Sequence, residues 1–168
     1  MVPTFKVVDY IAKRYKGSRY LPFSVLSYIL FLADWEYAIT HDRTISDACW
    51  FLSPEGPSVK GLFDTLVKSE IPVHKISHFG QPKYFVVARP WLFLSGSDLP
   101  RDQREIIDRI LGYTQRSEVT EIIKRVVTSY PLLTSTIGQD LDLITLSAEF
   151  KRNKDMLEPR RKKQLVPS

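Results

Sequence analysis

The feature that most constrains this chain is an apolar segment at residues 22–40. A helix built from it carries apolar side chains on nearly every side: Val25, Leu26, Ile29, Leu30, Phe31, Leu32 and Ala33. Pro22 suits the first turn of a helix, because its missing N–H has no helical partner there. A helix that is apolar all round is usually enclosed by other elements. We therefore expect this helix to form the centre of one domain.

Shorter elements are predicted on both sides of this helix. Apolar residues at helical spacing predict an earlier helix from Thr4 and later helices from Ser97 or Asp98, from Ser117 and from Asp140. The β-prone runs at 73–77 and 83–88 predict a hairpin, and the run at 90–94 predicts a docked apolar cluster. The expected fold class is mainly α: a compact single-domain helical bundle with one small β-hairpin or short sheet element.

The positive charge is confined to one end of the chain. The formal net charge is +5, and residues 151–168 hold seven Lys or Arg against two acidic residues. The rest of the chain holds 17 basic and 17 acidic residues and is neutral. We therefore predict a globular domain at 1–150 and a basic, flexible tail at 151–168. Arg160, Arg161, Lys162 and Lys163 are candidates for weak, sequence-independent contact with nucleic acid.

Several classes of chemistry find no support in the sequence. Cys49 is the only cysteine, which argues against disulfides and cysteine-based zinc sites. The chain has no glycine-rich phosphate loop, zinc-protease motif or nucleophile elbow. We expect a non-enzymatic protein with no catalytic residue, metal or cofactor. The longest uncharged run, at 20–33, is too short to span a bilayer, so we expect a soluble cytoplasmic protein with no membrane partner.

The stretch Ser-Pro-Glu-Gly-Pro at 53–57 interrupts the regular pattern. A strand-like run at 45–52 stops at Pro54 and Gly56, and Pro57 suits the first residue of a new helix. We predict that Pro54, Glu55, Gly56, Pro57 and Ser58 form a rigid, exposed corner that binds a protein partner together with Trp35. Free N–H groups at the start of that helix could donate hydrogen bonds to an acidic group of the partner. The alternative is a corner that only joins a strand to a helix.

The helix predicted at 57–69, followed by the hairpin, is also typical of a winged-helix DNA-binding domain. A recognition helix needs Arg, Lys, Asn or Gln on its outer face. The predicted outer face offers Lys60, Gly61, Asp64, Thr65 and Lys68. Only two of these residues are of the required types, so a DNA-binding regulator is the alternative function and not the leading one.

Four consecutive segments resemble the Panacea (SocA-like antitoxin) domain family: "LSYILFLADWEYAIT" at 26–40, "DRTISDACWFL" at 42–52, "SPEGPSV" at 53–59 and "KGLFDTLVK" at 60–68. The residues that fit the family pattern are Leu26, Phe31, Ala33, Asp34, Gly56, Pro57, Leu62, Phe63 and Lys68. Tyr28 stands where many members have Lys, Phe31 where many have Tyr, and Glu55 replaces the usual aromatic before Gly-Pro.

The resemblance implies a mostly helical domain that belongs to a toxin–antitoxin pair or a prophage element. Such a domain neutralises a cognate toxin by direct binding, or hands the toxin to a protease. The match covers about the first half of the chain, and none of its motifs is catalytic.

Overall fold

A computed structural model describes residues 1–89 and 98–164. The helices of this part are α1 (Thr4–Arg14), α2 (Phe23–His41), α3 (Leu62–Lys68), α4 (Arg101–Arg116), α5 (Val119–Val127), α6 (Tyr130–Thr134) and α7 (Leu143–Gln164). The strands are β1 (Tyr20–Pro22), β2 (Trp50–Ser53), β3 (Gly56–Val59), β4 (Val73–His78) and β5 (Gln81–Val87). The apolar run at 90–94 and the predicted helix cap Ser97 lie outside the described residues.

Helix α2 lies at the centre of the domain, which confirms the prediction from its all-round apolar surface. Leu26, Ile29, Leu30 and Phe31 are fully buried in the core. Helices α4, α5 and α7 pack against α2, and so do strands from both sheets. Most of the fold is therefore arranged around this helix.

The prediction of a mainly α fold is wrong, because the domain mixes helices with two antiparallel sheets. One sheet has the order β1-β5-β4, and the other is the β2-β3 hairpin. Strand β1 was missed because it has three residues and gains its strand character only by pairing with β5, where Leu21 faces Val86. The fold is α+β.

The hairpin predicted between 73 and 88 is confirmed as β4 and β5. Val73 pairs with Val86 at the open end of the hairpin. Its two-residue turn is formed by Phe79 and Gly80, with φ angles of 47° and 76°. Positive φ at both central positions matches the right-handed twist of the flanking strands. Since β4 and β1 are the outer strands, β5 is the central strand of this sheet.

Helix α7 starts two residues later than predicted, with Asp142 rather than Asp140 at its cap. The Asp142 carboxylate accepts hydrogen bonds from the backbone N–H groups of Ile144 and Thr145, each at 3.1 Å. It also accepts one from the Thr145 hydroxyl at 2.7 Å. The bonds from Thr145 lower the pKa of Asp142 most, because they stabilise its charged form.

Helix α7 continues through the predicted boundary between body and tail, to Gln164. Lys151 Nζ lies 2.7 Å from Asp42 Oδ1. The Asn153 side chain donates a hydrogen bond to the Tyr130 hydroxyl at 2.9 Å. The first residues of the predicted tail therefore belong to the folded body, because they contact parts of the chain that are remote in sequence.

Within the described residues, none of the helices combines the length and the apolar character that crossing a bilayer would need.

Candidate functional site

The stretch at 53–57 forms a hairpin turn rather than the start of a helix. Ser53 pairs with Gly56 across the turn, with Pro54 and Glu55 at its tip, both exposed. Pro57 is buried in β3, and α3 begins five residues later at Leu62. The predicted helix start at Pro57 is therefore wrong, and the predicted N–H donors for an acidic group are not at Pro57 either.

The register of the hairpin explains how a strand tolerates Pro57. Pro57 faces Leu52, whose N–H and C=O point away from β3 to Gln139 and Gly138, at 2.9 and 2.7 Å. Leu52 and Pro57 therefore form a non-hydrogen-bonded pair, where the missing N–H removes nothing from the ladder. The sequence after Pro57 predicted a helix, but the pairing of Pro57 with Leu52 places it in a strand.

The turn is held from inside by the Ser53 hydroxyl. This oxygen lies 2.9 Å from the Gly56 carbonyl oxygen, 3.1 Å from the Glu55 carboxylate and 3.0 Å from the Ser58 hydroxyl. Gly56 has a φ of 119°, a conformation that side chains resist. The predicted corner therefore exists as a rigid turn with Ser58 at its base, although its partner-binding role stays a prediction.

The turn is also held from below by α2. The Tyr28 hydroxyl donates a hydrogen bond to the Glu55 carbonyl oxygen at 3.1 Å. A Cβ atom added to Gly56 would lie 3.3 Å from the Tyr28 ring, so the ring lies directly against the turn. Burial and the charge of Glu55 both raise the pKa of Tyr28, so the phenol keeps its proton at neutral pH.

An aromatic cluster lies on α3, β5 and the start of α2. The Phe63 and Tyr84 rings lie 4.9 Å apart between centroids, and Phe23 lies 5.7 Å from Tyr84. Lys75 Nζ lies 5.8 Å from the centroid of the Tyr84 ring. Phe63 is 40% exposed, although it was not among the residues of the predicted outer face. We call Phe23, Phe63 and Tyr84 the aromatic cluster.

Sequence reasoning missed this cluster because Leu62, Phe63, Leu66 and Val67 are all apolar, so the pattern does not show which of them face the core. In a helix of seven residues only Leu62 and Leu66 reach the core, while Phe63 and Val67 face outward. Tyr84 lies in a strand with no strict alternation, so its sequence context carries no signal of exposure. The outward position of Phe63 follows from which side of α3 packs on the core, and the sequence of α3 alone does not decide this.

Trp35 does not lie on the same surface as the turn. It is 6% exposed and packs edge-on against Phe150, with ring centroids 5.8 Å apart. A side chain this buried offers no area to a partner, so we leave Trp35 out of the candidate site. Its burial follows from the central position of α2.

Arg160, Arg161, Lys162 and Lys163 lie in the last turns of α7. Their side chains fall outside the described part of the structure. Their predicted contact with nucleic acid stays a prediction.

The arrangement closest to a catalytic one lies at the end of α2. Thr40 Oγ1 is 2.7 Å from His41 Nδ1, and His41 Nε2 is 3.9 Å from Asp102 Oδ2. The second distance is too long for a hydrogen bond. Thr40 Oγ1 also lies 2.8 Å from the Glu36 carbonyl oxygen, its ordinary partner one turn earlier in the helix. These contacts are those of a helix end, without an activated nucleophile.

No group of three or more His, Cys, Asp or Glu side chains suited to a metal ion occurs among the residues that the structure describes. His74, the one histidine of the sheet whose side chain is described, instead stacks on Tyr20 with centroids 5.2 Å apart.

Comparisons with family models, curated proteins and solved structures found no match to this chain.

Proposed function

We propose that this protein is an antitoxin-like interaction module that acts in the cytoplasm and neutralises a cognate toxin by direct contact, without catalysis. The observation that carries the proposal is the aromatic cluster, whose Phe63 ring is exposed. The rigid, exposed turn at Pro54 and Glu55 is a second element of the proposed binding surface. The resemblance of residues 26–68 to the Panacea family supports the same function.

The chemistry of this surface suits a protein partner. Aromatic residues are enriched at the centres of protein interfaces, where they contribute much of the binding energy. Phe63 offers an exposed ring, and Tyr84 and Phe23 support it from beneath. The turn at Glu55 is already ordered, so a partner would lose little free energy in fixing it.

The outer face of α3 favours protein over DNA. Its exposed side chains include Phe63, Asp64 and Val67. Reading base edges in a major groove calls for Arg, Lys, Asn or Gln, and an acidic side chain there would face phosphate groups. Lys68 is the only basic residue within α3.

The test is co-expression with the product of a neighbouring reading frame that arrests growth. The protein should restore growth, and the purified pair should form a complex. Phe63→Ser should abolish rescue and weaken the complex by roughly tenfold or more, the effect of losing an interface anchor. Leu133→Ser is a matched control, because Leu133 is 68% exposed on α6, away from the cluster.

Two results would contradict the proposal. One is rescue that is lost equally with Phe63→Ser and Leu133→Ser, which would indicate a general defect. The other is full rescue by Phe63→Ser at normal protein levels, which would remove the aromatic cluster from the site. Circular dichroism of both variants checks that the fold is unchanged.

A DNA-binding regulator is the second candidate, because the chain order of elements favours it. Helix α1, β1, α2, α3 and the β4-β5 hairpin occur in this order, with the β2-β3 hairpin inserted between α2 and α3, and β1 pairs with β5 in the order β1-β5-β4. This is the arrangement of a winged helix, in which α3 would be the recognition helix. The departure is the 20-residue connection from α2 to α3, where a helix-turn-helix has three or four.

The two candidates differ in what nucleic-acid binding should depend on. For an interaction module, any affinity for duplex DNA should be weak, independent of sequence and steeply reduced by salt. Truncation after Asp155 removes the basic end of α7 and keeps the contacts of Lys151 and Asn153. Sequence-specific binding that survives this truncation and is lost with Lys68→Glu would establish the regulator instead.

A further inference from the structure

A cleft lies between α1 and α4, on a different part of the domain from the aromatic cluster. Its volume is about 690 Å³, within the range of small-molecule sites. Residues 69–71 at the end of α3 form one wall. Phe5, Ile71 and Leu99 give the cleft an apolar portion. The remaining lining residues are mostly charged.

One carboxylate organises the side of the cleft between α1 and α4. Asp108 accepts hydrogen bonds from Arg14 Nε and from the Tyr10 hydroxyl, both at 2.9 Å. Burial, followed by the hydrogen bond to Asp108, raises the pKa of Tyr10 to about 12. Tyr10 therefore stays protonated and keeps its hydrogen bond throughout the physiological range.

A second carboxylate organises the opposite side. Asp9 lies 2.7 Å from Lys13 Nζ and 2.6 Å from an Arg89 terminal nitrogen. Asp108 and Asp9 thus hold the cationic side chains around them in fixed positions, so the charged lining of the cleft is preorganised.

Two guanidinium groups in the cleft keep unused donors. The Nε atoms of Arg89 and Arg104 are buried and have no hydrogen-bond partner among the residues that the structure describes. Arg104 also makes none of the ion pairs found among the described residues. Buried N–H groups without partners are rare in folded proteins, because water no longer compensates for the missing bond. Both side chains line the cleft, so their guanidinium groups bring hydrogen-bond donors to a ligand that accepts hydrogen bonds.

We propose that this cleft binds a small molecule that carries an oxyanion, a phosphate or a carboxylate, on Arg104 and Arg89. The guanidinium fork matches the oxygen spacing of either group and holds it by charge-assisted hydrogen bonds. The apolar portion at Phe5, Ile71 and Leu99 accommodates an apolar or aromatic body on the same molecule. This binding does not depend on the proposed antitoxin function.

The experiment titrates the full-length protein with phenyl phosphate and with benzoate, which share a ring and differ in the oxyanion. Binding is followed by isothermal titration calorimetry at a constant ionic strength of about 0.15 M. At least one compound should bind with a Kd below about 1 mM, and more tightly than inorganic phosphate or acetate. The tighter of the two identifies the oxyanion.

Arg104→Gln should weaken binding by about tenfold or more, the effect of losing a charge-assisted hydrogen bond. Arg104→Lys keeps the charge without the fork and should weaken binding less. Arg116→Gln, an exposed position on the last turn of the same helix, makes the same charge change outside the cleft and should leave binding unchanged.

Absence of binding by both compounds at about 10 mM would overturn the proposal. Binding that survives Arg104→Gln, or that falls equally with Arg116→Gln, would also overturn it. Melting curves of the variants separate these outcomes from misfolding. If Arg104→Gln does not fold, undiminished binding by Arg104→Lys would overturn the assignment of the guanidinium fork.

Discussion

Asp34 is a fully buried carboxyl, and its replacement by alanine should destabilise the protein. Its Oδ1 accepts a hydrogen bond from the Ser46 N–H at 2.8 Å. Its Oδ2 accepts one from the Ser46 hydroxyl at 2.5 Å and one from Trp50 Nε1 at 2.9 Å. These bonds tie the extended segment before β2 to the central helix, so they also position the hairpin turn.

The size of the effect follows from the donors left behind. In Asp34→Ala, the Ser46 hydroxyl can rotate to another acceptor, but the Ser46 N–H and the Trp50 Nε1–H cannot. A buried donor without an acceptor costs about 1–3 kcal/mol, so two should lower the free energy of unfolding by about 2–6 kcal/mol at pH 7. That is a large fraction of the stability of a typical domain.

The pH dependence supplies an independent check of the same reasoning. Burial raises the pKa of Asp34 to about 6, against the opposing effect of the hydrogen bonds from Ser46 and Trp50. The folded protein therefore binds the proton more tightly than the unfolded chain does. This contribution to stability is fully present below pH 4 and is lost as the pH rises to about 6. A shift of about two pKa units corresponds to roughly 3 kcal/mol.

Alanine at position 34 cannot titrate, so the stability difference between wild type and Asp34→Ala should widen as the pH falls from 7 to 4. Urea unfolding followed by circular dichroism at both pH values measures this difference. Ser147→Ala is a suitable control, because Ser147 is also fully buried but bonds only to the Ile144 carbonyl of its own helix. A loss below about 1 kcal/mol at pH 7, or a gap that narrows toward pH 4, would refute the reasoning.

Three further predictions concern single positions. Glu55→Arg should change stability by less than about 0.5 kcal/mol yet weaken toxin binding. Gly56→Val should lower both stability and toxin binding, because Gly56 has a φ of 119° and the Tyr28 ring is close. Equal toxin binding by wild type and Glu55→Arg would remove the turn from the interface. Asp142→Ala should lower the free energy of unfolding by about 1 kcal/mol at pH 7, because it removes the cap of α7. The lowered pKa of Asp142 makes this stabilisation present above the ordinary Asp pKa and lost below the pKa in the folded protein, so the cost should vanish in acid; thermal unfolding at pH 7 and in acid tests it. Glu70→Gly should raise the free energy of unfolding by about 0.5–1 kcal/mol, because Glu70, just after α3, has a φ of 58°, which glycine adopts without the steric cost of a side chain. A lower urea midpoint for the variant would contradict this.

The sequence predicted those parts of the fold in which a local pattern has one physical outcome. The all-round apolar surface of α2 indicates burial in any context, and the hairpin of β4 and β5 follows from two β-prone runs around a glycine turn. The turn at Pro54 and Glu55 was likewise predicted as a rigid corner, because proline fixes its φ wherever it occurs and Gly56 permits a conformation that other residues resist. Partner, ligand and fold class do not follow from such local signals.

The tertiary structure decided what depends on contacts between distant residues. Pro57 lies in a strand because Leu52 directs its hydrogen bonds to Gln139, 87 positions later, and not because of any preference of its own. Phe63 became exposed and Trp35 buried for the same kind of reason. Arg104 was one basic residue among many until the fold placed it beside a cleft with a buried, unpaired Nε. Local propensity determines which elements can form, but the pairing of distant surfaces determines which side chains remain available for function.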